Sequence, residues 1–306
     1  MIKMAFFGEV MHELSSCEEP RFGGDTYNSA VYLKRLLAEL AEVYYITAVG
    51  KDDISAQAQA RWQSQNLNLR YVLASDSHTI GTYSISIDKL GERAFRFERK
   101  NSAAREYFNL DKDLVFLTAL KHRQFDYLYF SAISLSILDE STKQAFLSEI
   151  CAFKQVGGQV IFDSNYRAVL WQNTTQAQTW YLQAFQCADV ILVTNDDHFG
   201  VFGYCSSKQL VAFYQSYSQA VVVIKQGTDD TLVLLDQELH HYPVTSADRV
   251  VDTTAAGDAF AAGFLAEFLL NHHCADAVNT GQQLAAQVIG APGAIVPTTM
   301  TPVRYK

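Results

Sequence analysis

The segment from Val250 to Phe264, VVDTTAAGDAFAAGF, sets three residues without bulky side chains, Ala255, Ala256 and Gly257, directly ahead of an acid, Asp258. Behind them Phe260, Phe264, Leu265, Phe268 and Leu269 recur at helical spacing, which predicts a long apolar helix beginning near Ala256 or Gly257. The first amides of a helix lack internal partners and carry the positive end of its dipole. With so little side chain in the way, an anion can approach them closely. Asp258 in that first turn is expected to stay ionised, able to take a proton from a substrate hydroxyl while the amides hold charge on a phosphoryl group. A first-turn acid also serves plain helix capping, and local chemistry alone does not separate the two readings.

Upstream, short apolar runs alternate with amphipathic segments. The runs are MAFFG (4–8), VYYITAVG (43–50), DYLYFS (126–131), GQVIFDSN (158–165), DVILVTN (189–195) and AVVVIKQG (220–227). Helical-period segments lie near 26–40, 54–66, 139–155, 175–186 and 207–217. The rhythm predicts an α/β protein: a central, mostly parallel sheet with helices on both faces and ligands at the carboxyl ends of its strands. Strand-like HHYPVTS and RVVDTT lead into the final helix.

Residues 79–99, TIGTYSISIDKLGERAFRFER, break the rhythm by alternating at period two around Asp88-Lys89-Leu90-Gly91, which predicts a hairpin. Arg93, Phe95, Phe97 and Arg99 share one face of its second arm. With residues of about 10–22, the stretch 70–99 is expected to form a small β lid on a single domain spanning 1–306, since no linker or repeat divides the chain.

Charge and cysteine usage narrow the class. Lys and Arg number 24 against 33 acids, a net charge of -9 without any basic stripe, so nucleic acid and anionic membranes are disfavoured partners. No apolar run is long enough to span a bilayer, and a cytoplasmic location is expected. The five cysteines, Cys17, Cys151, Cys187, Cys205 and Cys274, are scattered outside any metal spacing and are expected to be reduced thiols. Neither GxxxxGK[ST] nor GxGxxG occurs, so the 255–258 turn must be the phosphate site.

DTTAAGDAFAAGF resembles the DTxGAGD signature of the ribokinase-like (PfkB-type) carbohydrate kinases, with Ala255 in place of the usual first Gly. The form DTTAAGD is similar to that of the 2-keto-3-deoxygluconate kinases within this family. The resemblance implies a ribokinase-like fold and ATP-dependent phosphorylation of 2-keto-3-deoxygluconate to 2-keto-3-deoxy-6-phosphogluconate. It implies Asp258 as catalytic base, Ala256 and Gly257 as the anion hole, and Arg167 as an assisting cation. RFGGDTYNSAVYLKRL (21–36) resembles the GGxxxN sugar element and implies sugar contacts from Gly24, Asp25 and Asn28 beside Gly23. In GTYSISIDKLGERAFRFERKNSAAR (81–105), Tyr83 and Arg99 match the sugar-acid pattern, and Phe97 stands where a Tyr is expected. Arg99 suits bidentate pairing with a substrate carboxylate, whereas Arg93 and Arg96 read as solvated lid residues.

VIFDSNYRAVLW (160–171) resembles the D-x-N-x-R element, mapped to Asp163, Asn165 and Arg167. LVTNDDHFGVFG (192–203) occupies the place of N-x-x-E; Asn195 matches, His198 stands where Glu is usual, and no metal ligand is assigned. VIKQGTDDTLVL implies nucleotide contacts from Lys225, Gly227 and Thr228, and NTGQQLAAQVIGAPGAIVP implies an adenine contact from Asn279. Asn165, Asn195, Ala255, Ala256 and Gly257 complete the implied ATP set, and Arg167 and Asp258 complete the sugar set. Mg²⁺ is the implied charge partner, with a monovalent cation as a possible activator and a homo-oligomer joined through the lid. The alternatives are a fructokinase or ribokinase acting on a neutral sugar, and a non-catalytic nucleotide- or sugar-binding protein on the same scaffold.

Overall fold

The computed structural model describes residues 1–15, 19–87, 93–203, 206–217 and 219–301. Its strands in chain order are β1 (Ile2–Phe7), β2 (Met11–Leu14), β3 (Arg21–Gly23), β4 (Ala41–Val49), β5 (Val72–Ala74), β6 (Gly81–Ile87) and β7 (Arg93–Glu98). They continue with β8 (Tyr127–Ser131), β9 (Gln159–Asp163), β10 (Val190–Thr194), β11 (Val221–Lys225), β12 (Thr231–Leu235) and β13 (Glu238–Tyr242). Nine of them form one sheet in the order β13-β12-β11-β10-β9-β8-β1-β4-β5. From β11 to β5 every pairing is parallel, and β12 and β13 add antiparallel at one edge.

Successive residues of each central strand enter opposite cores, so the strands read as continuous apolar runs. Phe7, Phe130 and Phe162 pack with helices 115–121, 140–155, 174–187 and 207–217. Phe6, Tyr129 and Ile161 pack on the other face with helices 25–37, 53–64, 256–271 and 274–289. Helix starts follow their caps: Asp52 accepts from Ser55 N, Asp139 from Thr142 N and Asn173 from Gln176 N. Helix Ala256–Asn271 is buried continuously from Ala259 to Leu269, which explains a sequence apolar on every side. Helix Cys274–Ile289 crosses it so closely that a Cβ on Gly263 would stand 2.7 Å from the Thr280 carbonyl oxygen.

The remaining four strands form a second, mixed sheet in the order β3-β2-β6-β7. The expected hairpin is present as the antiparallel pair β6 and β7, and β2 joins β6 in parallel. The turn 88–91 lies outside the described residues, as do the side chains of Arg93 and Phe95.

Three expectations differ from the structure. Strand β5, anticipated within the small sheet, pairs with β4 instead, because helix Asp53–Ser64 returns the chain parallel to the main sheet's edge. The RVVDTT segment is irregular: the amides of Val251 and Asp252 donate to the Ile289 carbonyl at the end of helix 274–289, not to a strand. Cys151 and Cys187, expected as free thiols, form a disulfide across the neighbouring helices 140–155 and 174–187, whereas Cys274 is free and buried. Helix packing brings together two thiols separated by 36 positions, which sequence spacing does not reveal. Cys17 and Cys205 lie outside the described residues. No helix among the described residues is long and apolar enough to cross a membrane.

Candidate active site

The carboxyl ends of β1, β8, β9, β10 and β11 open into a cleft of about 1070 Å³, covered on one side by the small sheet. Its walls hold Gly24, Asp25, Asn28, Tyr83, Phe97, Arg99, Asn165, Arg167, Lys225 and the whole turn from Ala255 to Asp258, residues drawn from most of the chain. Parallel sheets place ligands at this edge because the strand ends and helix starts converge there.

At one end, helix Ala256–Asn271 begins behind Ala255, whose backbone is left-handed at φ 63°. The first helical bond runs from Ala259 N to the Ala255 carbonyl, and Ala256 N donates to Thr253 O at 3.2 Å. The amides of Gly257 and Asp258 precede that first bond and sit at the positive helix end. Lys225 Nζ lies 3.5 Å from the point where a Gly257 Cβ would be, so an ammonium stands beside the same turn. The ammonium also faces Asp163 Oδ1 at 3.8 Å, while Tyr129 OH donates to Asp163 Oδ2 at 2.8 Å. An anion against Gly257 would therefore meet both a fixed dipole and a mobile positive charge.

Asp258 accepts from Asn28 Nδ2 at 2.7 Å. Asp258 is half-buried in the cleft wall, and desolvation of its carboxyl, followed by the nearby Asp25 carboxylate, raises its pKa to about 8; Asn28 and Lys225 pull against this and Asp163 adds to it. The sequence expectation of an acid ionised at neutral pH is thus corrected. The helix start favours the anion, but it is outweighed where several carboxylates share a buried space. Asp163, also buried, is raised by burial, with Lys225 opposing.

At the small-sheet end, Gly24 is pressed so tightly on the chain that a Cβ there would stand 2.3 Å from the Glu9 carbonyl oxygen. Tyr83 is buried and its hydroxyl donates to Glu13 at 2.9 Å. Phe97 is partly exposed and the Arg99 guanidinium carbon lies 4.8 Å from its ring centre. Arg99 is itself enclosed, with Nε 3.5 Å from Glu9 Oε2 and Nη2 beside the Met11 sulfur. Its Nε and Nη1 are buried with no hydrogen-bond partner. Sequence reasoning missed Glu9, Glu13, Arg105 and Asp196, all near or within this cleft. Glu9 and Asp196 had a signal, since each stands two residues beyond the end of a sheet strand, β1 and β10, where a doubly wound sheet places ligand groups.

The residues expected around ATP are only partly gathered. Asn165 turns to Asp25, donating to its Oδ2 at 3.0 Å, and Asn195 donates to Gln226 at 2.9 Å. Gly227, just after β11, is exposed, as are Thr228 and Asn279, and Asn279 accepts from Gln283. Arg167 is exposed at the mouth and donates to the Tyr166 carbonyl. His198 is a core residue against Phe202, Phe213 and Tyr214, and burial lowers its pKa to about 4. No group of three or more His, Cys, Asp or Glu that could hold a metal gathers among the described residues.

A family model described as pfkB family carbohydrate kinase matches residues 3–300. The chain belongs to the pfkB family of carbohydrate kinases. This kinase is 36% identical over 307 residues to the 2-dehydro-3-deoxygluconokinase of Escherichia coli K12, covering 98% of the chain and 99% of the relative. It is 27% identical to a Salmonella typhimurium fructokinase, over 99% of the chain and 97% of the relative. The crystal structure of a Thermotoga maritima 2-dehydro-3-deoxygluconokinase superposes with a TM-score of 0.78 at 20% identity, covering 96% of the chain and 94% of that structure. The fold is therefore ribokinase-like, and the family implies use of ATP.

Two outcomes follow from the turn. A left-handed Ala costs roughly 1–2 kcal/mol, part of which a Gly returns as unfolded-chain entropy. Ala255→Gly is therefore expected to stabilise the protein by up to about 1 kcal/mol in urea unfolding; a loss of stability would contradict strain at this position. Asp258, raised from 3.8 to about 8, binds its proton more tightly in the folded chain. Its contribution is complete below pH 3.8 and disappears as pH rises towards 8. Asp258→Asn should therefore gain stability relative to the wild type between about pH 5 and about pH 9, measured by denaturant midpoints; a constant difference would contradict the shift.

Proposed function

We propose that this kinase transfers the γ-phosphoryl group of ATP to the primary hydroxyl of 2-keto-3-deoxygluconate, yielding the 6-phospho sugar acid. The observation that carries this reading is Arg99: a buried guanidinium whose Nε and Nη1 find no hydrogen bond in the protein and which lines the cleft. A neutral sugar offers no charge to match it, whereas a carboxylate pairs with two of its N–H groups at once. Phe97, in place of a tyrosine, gives up a hydroxyl and offers its ring face to that guanidinium. The name of the Escherichia coli relative supports the same substrate.

In this reading Gly24, Asp25, Asn28, Tyr83 and Phe97 surround the sugar, and Asp258 orients its hydroxyl and accepts the proton. The Gly257 amide and Lys225 hold charge on the transferring phosphoryl, and Arg167 adds a second cation from the mouth. Ala256 contributes by shaping the turn, since its amide already donates to Thr253. Asn195 and Gly227, with Lys225 at the ends of β10 and β11, line the nucleotide side, and Thr228 and Asn279 extend it outward. Mg²⁺ would be held by Asp163 and the exposed Asp196, both on the cleft wall. Two carboxylates suffice for an ion that keeps most of its waters and binds phosphate oxygens. Bound there, it neutralises phosphate charge.

Arg99→Ala should raise KM for the sugar acid about 10–100-fold and leave neutral-sugar kinetics unchanged, since a charged hydrogen bond is worth roughly 1.5–3 kcal/mol. Equal effects on both substrates would reject the carboxylate partner. Asp258→Asn should lower kcat about 10²–10⁴-fold with little change in KM; near-normal turnover would remove Asp258 as base. The proposal also includes a homo-oligomer through the small sheet, whose edge strands are β3 and β7 and whose Leu14 is exposed. Light scattering is expected to give at least twice the 34.2 kDa chain mass, and a monomer at working concentration would contradict it.

A further inference from the structure

Glu9 is 2% exposed, and neither carboxyl oxygen has a hydrogen-bond partner. A buried carboxyl without partners is costly unless something else arrives to meet it. It lines the same cleft as Arg99, whose Nε lies 3.5 Å from Oε2. The start of β6 closes over it, because a Cβ on Gly81 would stand 3.2 Å from Oε1. The charged groups that face it are Arg99 behind β7, Arg105 in the turn 103–106 and Asp25 at the start of helix 25–37, with the Ser102 hydroxyl beside it.

A sugar acid bound as proposed above brings a second carboxylate to Arg99. Two carboxylates sharing one guanidinium in a closed space do not both remain charged at little cost. Glu9 can resolve this because its oxygens take part in no hydrogen bond: as a carboxylic acid it becomes a hydrogen-bond donor to a substrate carboxylate or 2-keto oxygen. We propose that Glu9 is a specificity-determining residue that shares Arg99 with the acid substrate, taking one proton from solvent as the sugar acid binds and donating it as a hydrogen bond to the ligand. The geometry is consistent with the direction in which burial moves this carboxyl, upward, against the pull of Arg99. The inference rests on the sugar-acid reading, and a neutral sugar would bind without the proton.

Calorimetric titration of 2-keto-3-deoxygluconate without ATP, into Asp258→Asn protein, isolates this proton from the one on Asp258. At about pH 8 the binding heat should differ between buffers of unlike ionisation enthalpy by the amount for about one proton taken up. Adding Glu9→Gln, which keeps an acceptor for Arg99 but cannot gain a proton, should abolish the difference. In the wild type, KM for the acid should climb by up to about tenfold per pH unit above the Glu9 titration, and KM for a neutral sugar should stay flat. That comparison needs no change at Glu9. Buffer-independent heat, uptake that survives in Glu9→Gln, or parallel pH profiles for acid and neutral sugar would overturn the proposal while leaving the sugar-acid reading standing. Failure of the wild type to bind the acid would overturn both.

Discussion

The site depends on a hydrogen bond between the first and last quarters of this chain: Asn28 Nδ2 donates to Asp258 at 2.7 Å. It ties the start of helix Asp25–Leu37 to the start of helix Ala256–Asn271, and the Ser29 hydroxyl adds a second tie to the Asp258 carbonyl. The two helices pack against each other on the same face of the sheet, so their starts meet where β1, β8 and β9 end. Without that meeting the side-chain-poor turn would be an isolated helix start. With it, a carboxyl, a set of open amides and a lysine ammonium occupy one corner.

The same convergence creates an electrostatic problem. Asp25, Asp163 and Asp258 crowd together beside the enclosed ammonium of Lys225, and burial and this crowding lead the carboxyls of Asp163 and Asp258 to hold protons more tightly. A base with a raised pKa is a poor anion at rest but a stronger proton acceptor once ionised, which suits abstraction from an alcohol near neutral pH. At the far end of the cleft Arg99 and Arg105 face the buried carboxyl of Glu9, on which Asp25 also acts. The cleft thus has an acid-rich corner, where a hydroxyl would lose its proton, and an opposite end where Arg99 is available to a carboxylate.

Much of this architecture was legible in the chain. Strands buried on both faces have no choice but to be short and apolar, and helices covering them must repeat every three to four residues, so both periods survive in the sequence. The turn at 255–258 was legible because its composition is unusual for a helix start. What escaped reading depends on contacts distant in sequence. The protonation of Asp258 is set first by its burial and then by Asp25, neither of which anything local announces. The place of Glu9 after β1 marks it as a candidate, but its burial appears only when β6 and Arg99 close over it. The disulfide between Cys151 and Cys187 needed the packing of two helices, and β5 needed the return of helix 53–64 to the sheet edge.

Ala255 connects these levels. A left-handed residue is needed at this point because the chain must reverse from an irregular span pinned to Ile289 into a helix aimed at the cleft. Glycine would adopt that conformation freely, and alanine adopts it against strain. The methyl group narrows the turn's freedom in both directions: it disfavours the fold slightly, and it limits the other conformations the turn can sample once folded. Strain held beside a reactive group persists only where the surroundings over-determine it. Here the surroundings are identifiable: Asp252, whose carboxylate accepts from Thr254 N just ahead of the turn and from Gly293 N in the loop after helix 274–289, and Asn28, which holds Asp258 from the start of helix 25–37. The alanine is tolerated because the bonds that build the anion site also fix the backbone on which it sits.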